Sequence, residues 1–90
     1  MILTWAKSLK VGKVDRYSID LTNWLDGQSI ATATMVPAST FATAGAVSID
    51  GNIISALITG DNVGVELFDI NYATATRSGC VEAQLLIEAC

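Results

Sequence analysis

Histidine is missing altogether from this 90-residue chain, and with it the usual general base near neutral pH and the commonest metal ligand. Cysteine occurs only at Cys80 and Cys90, far short of a zinc-binding set. Were both in one strand, ten residue steps would hold them about 33 Å apart, whereas a disulfide needs Cα atoms within roughly 7 Å. Free thiols are expected. No apolar run approaches the ~20 residues of a membrane-spanning helix, and Met1–Ala6 is too short for a signal peptide. The expectation is synthesis in a cytoplasm, with no membrane partner and no cofactor.

Charge is scarce too, at 16% of residues against 51% hydrophobic ones, with a mean hydropathy of +0.47. A chain of this size makes one small domain, burying roughly 60–65% of its unfolded surface. So apolar a composition implies a surface partly covered by other proteins or by further copies of itself. The net charge of −4 argues against nucleic acid. It is unevenly spread. Lys7, Lys10, Lys13 and Arg16 give the first sixteen residues a positive balance, while Arg77 is the one cation among eight acids afterwards. Residues 1–13 therefore read as an extended basic arm ahead of a body at 14–90. The arm is either simply solvated or docked on an acidic surface.

What is plentiful is period-2 alternation broken by turn residues. Tyr17, Ile19 and Leu21 share a face. Ser29–Val36 ends at Pro37, the single proline, which cannot donate to a ladder. Asp50-Gly51, between Ala46–Ile49 and Ile53–Thr59, signals a type I′ hairpin. Phe68, Ile70 and Tyr72 share one face of Val63–Thr74 while Val65 and Leu67 hold the other phase, predicting a bulge near Leu67–Phe68. Val81, Ala83, Leu85, Ile87 and Ala89 alternate cleanly in the last segment. Ala38–Ala46, rich in Ala, Ser and Thr, reads as a loop and weak edge strand. Six or seven short strands without a helical period predict an all-β fold, a small antiparallel sandwich of immunoglobulin-like plan.

Chemistry finds few footholds in this pattern. Asp50-Gly51-Asn52 and Asp61-Asn62 lack the ligand spacing of a calcium loop. Glu66, Asp69, Glu82 and Glu88 fall on the expected solvent phase of strands, without the cleft that a glycosidase pair needs. Gly60 and Gly64 bracket a turn rather than a phosphate loop. The chain is expected not to be an enzyme. Contact residues are the better candidates. Leu86 faces out of a well-ordered strand, and Trp5, Lys7, Leu9, Lys10 and Lys13 lie on the basic arm.

The run Val14-Asp15-Arg16-Tyr17-Ser18-Ile19-Asp20-Leu21-Thr22-Asn23-Trp24-Leu25-Asp26-Gly27-Gln28-Ser29-Ile30 resembles the signature of small tailed-bacteriophage virion proteins of the fiber–tail adaptor type. Ala31–Pro37 is similar to their Ser/Ala-Thr strand ending in Val-Pro, and Leu57-Ile58-Thr59-Gly60 to their aliphatic-Ser/Thr-Gly turn. Leu21 stands where the family has a first Trp. The resemblance implies a non-enzymatic virion protein that connects tail machinery to fibers. Its partners would be the tail adaptor or nozzle, a tail fiber or a capsid protein, besides its own copies. Similar sandwiches serve as capsid decoration or cement proteins. A carbohydrate-binding module, which would need an exposed aromatic platform, is the reading from another class. Within the signature, Thr22 is placed to cap one helical turn. Trp24 and Leu25 either plug an end of the sandwich or, for Trp24, bind a ligand.

Overall fold

The computed structural model describes residues 2–25 and 27–90, with nothing said of the Ile2 side chain; the expected turn residue Asp26 lies outside them. Nine strands and one helical turn follow in order: β1 (Ile2–Thr4), β2 (Leu9–Lys10), β3 (Val14–Asp20), α1 (Thr22–Leu25), β4 (Thr32–Pro37), β5 (Ala42–Ala44), β6 (Ser48–Asp50), β7 (Ile53–Gly60), β8 (Gly64–Ala73) and β9 (Ser78–Glu88). They form two sheets. The larger runs β1-β9-β8-β4, with β2 also on β9; the smaller runs β3-β7-β5, with β6 also on β7. Since β1/β2 and β5/β6 are broken halves of two edges, seven strand lines remain. Their order, with β3 and β7 in one sheet and β4, β8 and β9 in the other, is that of an immunoglobulin-like sandwich. The expected all-β sandwich is the fold of this chain.

The inward phase supplies the core. Tyr17, Ile19, Ile54, Ala56 and Ile58 from the smaller sheet meet Met35, Phe68, Ile70, Val81, Ala83, Leu85 and Ile87 from the larger. Leu21 and Leu25, both fully buried, close one end of the sandwich, and Trp24 packs against it partly buried. Asp20, rather than Thr22, caps the intervening turn. Its carboxylate accepts the Thr22 N–H at 2.9 Å and the Thr22 hydroxyl at 2.5 Å. The hairpin at Asp50 also sits one residue later than expected. Asp50 pairs with Ile53, leaving Gly51-Asn52 as the loop, with Gly51 at φ 62°.

Two sequence expectations fail here. Of the expected arm 1–13, the described residues 2–13 are not an arm. β1 and β2 lie parallel on β9, in register Leu3↔Ala83 and Leu9↔Ile87, and backbone bonds from Trp5 N to Gln84 O and Val11 N to Glu88 O continue the ladder. The body therefore begins with these strands rather than at residue 14. The reason is local: Leu3, Trp5, Leu9 and Val11 each bury apolar surface against the core, which outweighs solvation of the intervening lysines.

Nor does β8 carry a bulge. Its pairing to β9 is unbroken from Gly64↔Ile87 to Ala73↔Ser78. The phase change read from Val65 and Leu67 arises because the inward position that precedes Phe68 is occupied by Glu66, which is fully buried instead of solvent-facing.

Candidate functional site

Glu66 is held by backbone donors rather than by a cation. Its carboxylate accepts N–H groups from Ser39 at 3.0 Å, Ala42 at 3.2 Å and Leu67 at 3.1 Å. These bonds fold residues 38–41 onto the β7–β8 turn. Asn62 donates from Nδ2 to Thr40 O, and the amides of Asp61 and Asn62 donate to Phe41 O. Gly64, at φ 152°, leaves room for the Phe41 ring, which a Cβ there would meet at 2.7 Å. A buried acid with three amide partners thus satisfies the loop from inside the sandwich.

The candidate contact residues do not form one surface. Trp5 and Lys7 lie over the free edge of β3. The indole N–H of Trp5 donates to Ser18 O at 3.0 Å, its ring meeting Tyr17 at 5.1 Å and Phe68 at 5.8 Å between centroids. Lys7 Nζ is 2.9 Å from Asp15 and 4.7 Å from the centroid of the Tyr17 ring, and donates to Arg16 O. Both side chains are thus spent on their own chain. Leu9, only 4% exposed, belongs to the core and cannot serve as an external contact. Lys13 is exposed between β2 and β3.

Lys10 and Leu86 lie elsewhere, on the outer face of the larger sheet. Lys10 pairs with Glu88 at 3.6 Å. Leu86, 47% exposed, stands directly opposite Val65, 52% exposed. On the same face, Leu67 follows Val65 by two residues, and Val36, 52% exposed, pairs beside Asp69. Leu86, Val65, Leu67 and Val36 therefore trace a diagonal aliphatic strip across three strands. Lys10 and Glu88 border one end, and the cross-strand acids Asp69 and Glu82 the other. Of this strip, only Leu86 stands out from the sequence alone. Val65 and Leu67 were hidden by the phase that Glu66 disguised, and Val36 by its place beside the proline.

Farther along this sheet lies an open depression of about 450 Å³, lined by Thr32, Thr34, Asn71, Tyr72, Ser78 and Cys80 among others. It offers hydroxyls, an amide and a thiol but no carboxylate. Among the described residues no group of three or more potential metal ligands comes together, and no helix is long and apolar enough to cross a membrane. Cys80 and Cys90 are exposed free thiols.

No protein-family profile and no curated protein matches the chain. Among solved structures it is similar to an endo-fucoidan hydrolase from glycoside hydrolase family 107, with a TM-score of 0.65 and 21% identity. The match covers 100% of this chain and 13% of that one, so the chain spans a small part of the enzyme's length. At this identity the likeness shows the sandwich fold alone.

Proposed function

We propose that this chain is a non-enzymatic bacteriophage virion protein, an adaptor that joins tail machinery to tail fibers through protein–protein contacts. The observation that supports this reading is the strip Leu86, Val65, Leu67 and Val36, aliphatic surface displayed on a rigid sheet. A rim of mixed charge beside such a strip suits burial against another protein. The phage assignment within that class rests on the resemblance of residues 14–30. A capsid decoration protein would use the same face in another part of the particle.

The test is incorporation into particles. Leu86→Asp and Val65→Asp chains should keep the circular dichroism of the parent and be lost from purified virions. Absence of the unsubstituted chain from virions would overturn the proposal. The carbohydrate-binding alternative gains no platform here, since Trp5, Trp24 and Phe41 are partly buried against the core and Tyr72 is buried. Glycan-array binding by the isolated domain, lost on Trp24→Ala, would favour that module instead.

A further inference from the structure

Sandwiches expose strand edges, and an edge with unpaired N–H and C=O groups is a template for another strand. Three of the four edges here are interrupted or covered. On β3, Lys7 and Trp5 occupy the carbonyls of Arg16 and Ser18, and the Asp15 carboxylate accepts the Arg16 N–H at 2.8 Å. The β1/β2 edge is broken into pieces of three and two residues, and β5/β6 into pieces of three. β4 differs. It ends the larger sheet, runs Thr32-Ala33-Thr34-Met35-Val36-Pro37 without a charge, and pairs only with β8.

The backbone of β4 shows which groups are open. Ala38 N donates to Leu67 O at 2.9 Å, and the register runs from Thr32↔Ala73 to Pro37↔Phe68. In an antiparallel ladder this makes the even-numbered residues face β8 and turns Ala33 and Met35 outward. No hydrogen bond from their amides or carbonyls to another group is found among the described residues. Pro37 nitrogen, which has no hydrogen, faces the same way, as an edge-strand proline must.

We infer that β4 pairs antiparallel with β4 of a second copy, in the register that places Thr34 opposite Thr34. Ala33 of each copy then exchanges both backbone bonds with Met35 of the other, so every open donor and acceptor of these residues is used. The ladder stops at both ends for one reason. Pro37 has no donor, and Ala31 of the second copy, which it would meet, already gives its amide to Ala73 O. On the outer face Thr34 meets Thr34, a favourable cross-strand pair, and Thr32 meets Val36, which sets no charges against each other. The chain's negative charge does not oppose this. The nearest acids on this face, the Asp69 residues on the two β8 strands, stand three strand spacings apart across the sheet and four residues apart along it, about 19 Å in all, beyond the ~8 Å screening length at physiological salt. A self-complementary edge closes as a two-fold dimer rather than a filament. This pairing does not rest on the function proposed above, since it uses the backbone edge of β4, although Val36 belongs both to that strand and to the aliphatic strip.

The test is cysteine crosslinking of the full chain in a Cys80→Ser, Cys90→Ser background. Thr34→Cys should give a disulfide-linked dimer under mild oxidation, because non-hydrogen-bonded antiparallel partners lie about 4.5 Å apart at Cα, inside the disulfide range. Thr32→Cys or Val36→Cys alone should not crosslink, their copies lying about 13 Å apart, whereas the double variant should. Sedimentation of the unsubstituted chain should show a concentration-dependent dimer. Ala33→Pro should abolish it, with the melting temperature unchanged at dilutions where the parent too is monomeric, because that amide makes no bond within its own chain. A monomer up to millimolar concentration overturns the inference. So do open-ended polymers, crosslinking at position 32 in preference to 34, or a dimer that survives Ala33→Pro.

Discussion

Glu66 Oε1 accepts the backbone N–H of Ala42 at 3.2 Å, although the two residues belong to strands of different sheets. A carboxylate at an inward position thus ties the sheets together where an aliphatic side chain would only pack. Removing it strands amides that have no other partner, at about 1–3 kcal/mol each when fully buried. Allowing for water at Ser39, Glu66→Ala should lower stability by about 2–4 kcal/mol in chemical denaturation. Glu66→Gln should fall between, since its amide offers one acceptor where the carboxylate offers two. A Glu66→Ala protein as stable as the parent would show that the loop finds other acceptors.

Trp5, just after β1, serves the sandwich from a segment that the sequence reads as an arm. Trp5→Ala should cost about 2–3 kcal/mol, less than a fully buried Trp because the ring is partly exposed. Trp5→Phe should recover most of the packing but not the bond to Ser18 O. Deleting residues 1–13 would also uncover β9 and remove Leu9, so a large drop in melting temperature, or failure to fold, is expected. A truncated chain with parental circular dichroism and melting would restore the arm.

Acid should weaken the fold modestly and alkali from the other side. Hydrogen bonding from Lys7 and then from the Arg16 amide holds the Asp15 carboxyl below its ordinary 3.8. The Thr22 hydroxyl and amide do the same for Asp20, and Ser8 followed by Lys10 lower Glu88 from 4.5. Groups depressed in the folded state contribute stability above their unfolded values and lose it as pH falls through the folded ones. The melting temperature should therefore stay level down to about pH 5 and decline below about pH 4. Added salt should blunt the effect, because these carboxyls are exposed. Burial, and then the Asp15 charge, raise the Tyr17 phenol above 10.0, so its contribution is lost as pH climbs past that value. A melting temperature unchanged at pH 3 would dismiss the carboxylate bonds as stabilising.

Gly51 tests the hairpin. A Cβ there meets nothing within 4 Å, so any penalty is conformational rather than steric contact with neighbours. Gly51→Val should cost about 1–2 kcal/mol, since a left-handed φ suits no β-branched residue. Gly51→Asn should cost much less. Equal stability of all three chains would contradict the φ of 62°.

The parts of the fold legible in the sequence are those where burial and hydropathy agree. Val81, Ala83, Leu85 and Ile87 alternate inward as their spacing predicts, and Tyr17 and Ile19 likewise. Glu66 breaks that agreement. Hydropathy assigns any carboxylate to solvent, and the three amides that make its burial acceptable come from 24 to 27 residues upstream and from its own neighbour. Lys7 and Lys10 mislead in the same manner. Their density implies a solvated arm, while their partners Asp15, Glu88 and the Tyr17 ring are brought near only by the finished sheets. Of the contact residues, Leu86 could be seen from alternation, but its neighbours Val65 and Val36 depend on register.

The parallel docking of β1 and β2 on β9 has a mechanical consequence. The chain enters the sheet at Ile2, beside Glu82, and leaves β9 at Glu88, beside Lys10. Tension applied between those two points draws the strands past each other lengthwise, so their hydrogen bonds carry the load together instead of opening one by one. A module strained along its own length in this way resists force through shear, and stretching single molecules should reveal a high rupture force that falls when β2 is unzipped by Leu9→Asp.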